Sequence, residues 1–152
     1  MGALADATES IDRTLTIARR FDAGRGRVFR AFVDRDAFAR WIGSKGMQVT
    51  GCERSVAEGG RYRILLEGED GECHVLTGVF REICPDERLV FSWEPQWGKD
   101  RDTPTTVTVE LRDRDGGTEL TLTQSVFGTL DSRDRHATYW EGCLDNLQAY
   151  LA

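Results

Sequence analysis

No stretch of this 152-residue chain approaches the roughly eighteen consecutive apolar residues that a bilayer-spanning helix needs. A membrane partner is therefore not expected. The amino terminus, MGALADATESID, has neither the basic start nor the continuous apolar segment of a secretory signal. Asp6 also stands where N-myristoylation requires Ser or Thr. The expected location is the cytoplasm, with residues 1–10 a disordered tail and residues 11–152 a single domain. Clustered basic residues are scarce too. The formal charge is −6 with both signs interspersed, and nucleic-acid affinity comes from neutralising phosphates with grouped Lys and Arg. Arg19-Arg20 and Arg61/Arg63 are too few for that and read as solvated strand faces, so nucleic acid is not an expected partner.

Several chemical signatures are missing as well. The four cysteines, Cys52, Cys73, Cys84 and Cys143, form no Cys-x-x-Cys pair, and the adjacent Cys73 and His74 point to opposite faces of a strand. Reduced thiols packed as small hydrophobes are expected, with no metal. Gly24-Arg-Gly26 has Phe29 where a dinucleotide fingerprint needs its third glycine, and Ser44 sits in no Gly-x-Ser-x-Gly elbow. Gly43-Ser-Lys-Gly46 follows a predicted helix, so it meets carbonyl groups rather than the N–H groups that bind phosphate. Gly43 is expected to stop that helix in a left-handed conformation, with Lys45 suiting its negative end. No cofactor and no catalytic constellation emerge.

What is present is alternation. Hydrophobic residues make up 39% of the chain and charged residues 30%, enough for one soluble core. Ile11 to Phe21 reads as a strand. Val28, Phe29, Phe32 and Val33 then recur at helical spacing, and Asp34 or Asp36 is the candidate cap of a second short helix carrying Phe38 and Trp41. From Met47 onward strands follow one another: Met47–Ser55, the Tyr62/Ile64/Leu66 strand, Cys73–Ile83, the Leu89/Phe91/Trp93 strand, the Val107/Val109/Leu111 strand and the Leu120/Leu122/Gln124 strand. Residues 73–83 carry apolar side chains on both faces, so their facing stays open. Glu94 to Pro104 is a polar loop with Trp97 inside it, expected to fold back as a lid over something apolar. After Gly128, His136, Trp140, Leu144, Leu147 and Leu151 mark a helix of about twenty residues, with Asp131 as its predicted N-cap. The fold class is α+β: about seven antiparallel strands, two short helices after the first, and a long C-terminal helix across the apolar face. A curved sheet gripping a helix is expected to leave a cavity between them.

Candidate lining residues follow from that face: Trp41, Tyr62, Ile64, Phe91, Trp93, Gln124, His136 and Trp140. Aromatic size alone makes most of these core residues; their polar atoms would orient a guest. Gln124 needs a partner, because a buried unpaired amide costs about 1–3 kcal/mol. His136 is either a polar contact in the cavity, a general base, or a solvated histidine near a helix start.

The strings Arg20-Phe-Asp-Ala23, Val28-Phe29, Ala31-Phe32, Trp41, Gly59-Gly-Arg-Tyr62, Gly78-Val-Phe-Arg-Glu-Ile83, Pro85-Asp-Glu-Arg-Leu-Val-Phe-Ser-Trp93 and Gly117-Thr-Glu-Leu-Thr-Leu122, in this order and followed by Trp140-xxx-Leu144-xx-Leu147-xxx-Leu151, resemble a known family. It is the activator of the ninety-kilodalton heat-shock-protein ATPase, homologue-like family, within the SRPBCC or START-like superfamily. The resemblance runs from about residue 11 to the end and implies the helix-grip fold. This chain departs from it with Gly24 in place of a common proline, Ile42-Gly-Ser after the tryptophan, and Gln124 where a histidine is frequent. The leading expectation is binding of a small hydrophobic molecule by a monomer or homodimer. The resemblance also implies two alternatives, a chaperone-interacting module and a cyclase-like, hydrolase-like or resistance enzyme using the same cavity.

Overall fold

The computed structural model describes residues 13–43 and 46–152, so the expected tail, the strand start at Ile11, and Ser44 and Lys45 lie outside the described residues. The elements are β1 (Leu15–Phe21), α1 (Arg25–Val33), α2 (Arg35–Trp41), β2 (Gln48–Arg54), β3 (Arg61–Glu67), β4 (Cys73–Cys84), β5 (Arg88–Pro95), β6 (Thr105–Arg114), β7 (Gly117–Ser125) and α3 (Leu130–Leu151). The strands form one curved antiparallel sheet in the order β1-β7-β6-β5-β4-β3-β2. β1 and β2 are its two edges, and the two short helices carry the chain from one edge to the other.

Local chemistry explains most of the joints. Asp115 and Gly116 both have positive φ, 48° and 79°, the requirement of the two-residue turn that matches strand twist. In β4, Phe80 pairs with Phe91 but Glu82 pairs with Val90, so Arg81 is an extra residue. Leu76, Gly78 and Phe80 face the core before this bulge, and Ile83 shares the face of its partner Leu89 after it. The bulge is why both parities of residues 73–83 carry apolar side chains. A second register shift between Val49 and Gly51 turns Cys52 and Arg54 onto the face of Ile64 and Tyr62. Arg54 thus points inward from an edge strand, its guanidinium 4.3 Å from the Phe38 ring centroid and 5.3 Å from that of Phe80.

Three expectations need correction. Thr129, not Asp131, caps α3: its hydroxyl accepts from the Ser132 N–H at 3.0 Å. Asp131 already lies in the first turn, where it pairs with Arg135 one turn on at 2.9 Å. Arg19 is not a solvated strand residue, because it reaches across to α3 and meets Glu141 and Asp145, each at 2.7 Å. Gly43 does not adopt a left-handed conformation; Gly46 does, with φ 88°. Gly43 is constrained by crowding instead, since a Cβ there would sit 3.0 Å from the Met47 carbonyl oxygen. The cap of α2 is as anticipated, with Asp34 accepting from the Ala37 N–H at 2.9 Å.

The carbonyl end of α2 is received by α3. The Tyr139 hydroxyl and the Cys143 thiol (3.0 Å) donate to the Ile42 carbonyl. Asn146 Nδ2 donates to the Gly43 carbonyl at 2.7 Å. The same helix buries Trp140, Cys143, Leu144, Leu147 and Leu151 in the core. The middle of the expected hollow is therefore filled with side chains.

Gly78 marks a tight point of that packing. A Cβ there would stand 2.2 Å from the Ser92 carbonyl oxygen and 2.3 Å from the Tyr62 ring. Gly78→Ala is expected to destabilise the fold by at least about 1–3 kcal/mol through overpacking, read as a lower urea midpoint at unchanged slope. An unaltered midpoint would show that the Tyr62 ring yields freely.

Candidate functional site

A cleft of about 260 Å³ remains at one end of the grip, between the N-terminal half of α3, the loop after β5 and the ends of β3 and β4. Its apolar surface comes from Met47, Leu66, Trp93 and Pro95. Leu66 and His74 are cross-strand partners near the β3–β4 hairpin, so the alternation of β3 delivers Leu66 inward where the sheet ends. Trp97 folds back from its loop and stacks on His74, with ring centroids 4.7 Å apart and planes 10° from parallel. From the opposite side α3 presents His136 and Tyr139, three residues apart, each with its ring 6.2 Å from that of Trp93.

The polar groups of the cleft divide into satisfied and unsatisfied. His136 Nδ1 lies 2.8 Å from the Ser132 carbonyl. A carbonyl only accepts, so Nδ1 carries the proton and Nε2 is left as a bare acceptor. Burial pushes the His136 pKa below its ordinary value, against the opposing pull of the Ser132 carbonyl and Asp100. At the rim, Asp100 accepts from Ser132 Oγ at 2.7 Å and from Arg135 at 3.1 Å. Burial alone would raise the Asp100 carboxyl, but these hydrogen bonds hold it below the usual range. Two buried nitrogens of lining residues, Trp93 Nε1 and His74 Nδ1, have no hydrogen-bond partner among the described residues.

Of the side chains singled out in the sequence, Trp93 and His136 lie in this cleft. Trp41, Tyr62, Ile64, Phe91, Gln124 and Trp140 do not line it; they are buried in the core. Their polar atoms are taken by the protein itself. Trp41 Nε1 donates to the Ala31 carbonyl (2.8 Å) and the Tyr62 hydroxyl to that of Ser92 (2.5 Å). Gln124 accepts from Trp140 Nε1 at 2.7 Å and donates to Thr105 at 2.8 Å. Ile64 and Phe91 are apolar and covered, Phe91 by the Tyr62 ring 5.9 Å away. The residues not foreseen include Met47, Leu66, His74, Lys99, Asp100, Arg135 and Tyr139. Tyr139 adjoins Trp140 on the helix, and Leu66 was already placed on the inward face.

No nucleophile is evident at the site. Cys143 belongs to the core, and burial pushes its thiol up to about 12. Among the described residues, no three His, Cys, Asp or Glu side chains converge to hold a metal. No described helix is long and apolar enough to cross a membrane.

The family model described as "Activator of Hsp90 ATPase homolog 1-like protein" matches residues 22–152. The chain belongs to this family. Solved structures similar to it include a protein of Chromobacterium violaceum (24% identity, TM-score 0.83), with 91% of this chain and 96% of that one covered. A putative uncharacterized protein from Rhizobium leguminosarum is 30% identical with TM-score 0.79, covering 91% and 93%. The AHSA1 protein of Silicibacter pomeroyi is 20% identical with TM-score 0.79, covering 91% and 96%. No curated protein matches. The seven-stranded curved sheet with its long C-terminal helix is the helix-grip fold of this family and of the SRPBCC superfamily.

Two outcomes follow from these contacts. Gln124→Leu strands a buried indole N–H and a buried hydroxyl, and is expected to cost about 1–3 kcal/mol in urea unfolding. The second concerns pH. The His136 pKa is lower folded than unfolded, so below about pH 6.5 the unfolded chain takes up a proton that the folded chain resists. Stability from this group is therefore full at neutral pH and declines as pH falls below that value. His136→Gln should show a smaller drop in urea midpoint between pH 7.5 and pH 5.5 than the wild type; equal drops would clear His136 of that role.

Proposed function

We propose that the protein binds a small, largely apolar molecule in the cleft between the sheet and the N-terminal half of α3. One observation carries this reading. Of the three buried side-chain nitrogens without a partner among the described residues, two, Trp93 Nε1 and His74 Nδ1, belong to residues lining this one cleft. Buried polar atoms in folded proteins are nearly always paired, and a concave apolar surface with a few unpaired polar groups is what a ligand site requires. The neighbouring core pairs the polar atoms of Trp41, Trp140 and Gln124, and the third unpaired nitrogen, Arg54 Nε, lies outside the cleft. Family membership supports the reading at the level of fold only.

The match of residues 22–152 to a family described by its Hsp90 ATPase activator also favours a second reading, contact with that chaperone. Co-purification with the chaperone and a rise in its ATPase rate would support it; neither effect would remove it.

For the leading reading, hydrophobic dyes, fatty acids and fused-ring aromatics would be titrated against intrinsic tryptophan fluorescence. Saturable, single-site quenching is expected. Trp97→Ala, which removes the ring stacked on His74 in the loop, should weaken binding roughly tenfold while leaving the circular dichroism spectrum unchanged. Absence of any saturable binder would end the reading.

A further inference from the structure

We propose that the cleft selects a small aromatic acid bearing a hydroxyl group, with its carboxylate held at Lys99 and its hydroxyl donating to His136 Nε2. This rests on the binding reading above and adds the chemical class of the ligand.

Shape comes first. The lining is dominated by flat rings, with Trp93 and Tyr139 on one side and the stacked His74 and Trp97 on another. Such walls favour a planar guest through offset or edge-to-face contact. At about 260 Å³ the cleft sits below the roughly 300–1,000 Å³ of drug-sized sites, which suits one or two fused rings rather than a sterol or a long acyl chain.

Charge comes second. The whole chain carries −6, yet the cleft lining opposes two cations, Lys99 and Arg135, to a single carboxylate, Asp100. Asp100 and Arg135 bond to each other, and Arg135 also meets Asp131 at 2.9 Å. Lys99 makes no ion pair or hydrogen bond among the described residues, and it is the one lining charge left over. An anionic group at the mouth, with its ring against the apolar floor, answers that surplus, whereas a cation would meet an uncompensated ammonium.

The hydroxyl follows from the histidine tautomer. With Nδ1–H committed to the Ser132 carbonyl, Nε2 offers a lone pair on the cleft wall. Tyr139 does not compete for it, because its own hydroxyl is committed to the Ile42 carbonyl. A phenolic O–H is the complementary donor on a flat guest.

Calorimetric titration of the full chain near pH 7.5 with 6-hydroxy-2-naphthoate, 2-naphthoate and 2-naphthol tests both poles. The hydroxynaphthoate should bind about tenfold more tightly than either partial analogue. Lys99→Met should bring its affinity down to that of 2-naphthol, and Lys99→Arg should restore the difference. Lys99 is exposed, so these variants leave the packing alone. His136→Leu should abolish the advantage of hydroxynaphthoate over 2-naphthoate. If that variant does not fold, the same pair compared on wild-type protein keeps the hydroxyl half decidable. Equal affinities for all three compounds, or no effect of Lys99→Met, would overturn the ligand class while leaving the cleft a binding site. No binding by any of the three, together with no binder in the broader screen, would remove the binding reading itself.

Discussion

A buried hydrogen-bonded link, from the Trp140 indole to Gln124 and on to Thr105, joins the long helix to the sheet. All three side chains are buried, and a buried indole N–H without an acceptor would be costly. The link therefore ties one rotational setting of α3 to β7 and β6. With Trp140 in place, its ring stands 5.2 Å from that of Trp93 and closes the centre of the grip. Toward the C-terminus Cys143, Leu144, Leu147 and Leu151 continue the seal. The cleft lies on the N-terminal side of Trp140, where the helix contributes Arg135, His136 and Tyr139.

The same helix also finishes α2. A seven-residue helix has almost no stability of its own, and its last carbonyls need partners. Tyr139, Cys143 and Asn146 supply the donors, at spacings that keep them on one side of α3. Tyr139 is thus both a wall of the cleft and a donor to the end of α2. The wall of the cleft and the seat of the short helix therefore share one side chain.

The element order was legible because strand alternation and helical spacing are local properties, and every strand and helix of the expected order is present. Parity along residues 73–83 was not, since a bulge at Arg81 exchanges the faces mid-strand and nothing in the residue types announces it. The α3 cap was misplaced for a similar reason: Thr129 and Asp131 are both competent caps, and where the backbone turns into the helix decides between them. Lining residues were harder still. Tyr62, Ile64 and Leu66 share one face by alternation, but depth along the strand separates them: only Leu66, near the hairpin end, reaches the cleft. His74 and Lys99 come from segments whose approach to α3 is set by tertiary folding, so their role had no local signature.

The tryptophans provide an internal comparison that bears on why this end differs from the core. Trp41 and Trp140 are fully buried and each indole N–H has an acceptor. Trp93 is only 4% exposed and has none. An unmet buried donor costs about 1–3 kcal/mol, and phenylalanine at that position would offer an aromatic face without it. The satisfied indole of Trp140 has its ring only 5.2 Å from that of Trp93. The deficit at Trp93 coincides with another at His74, and both residues belong to the walls of the same cleft. Core packing accounts for the rings at these positions. It does not account for the unpaired nitrogen of Trp93, which distinguishes this indole from those of Trp41 and Trp140.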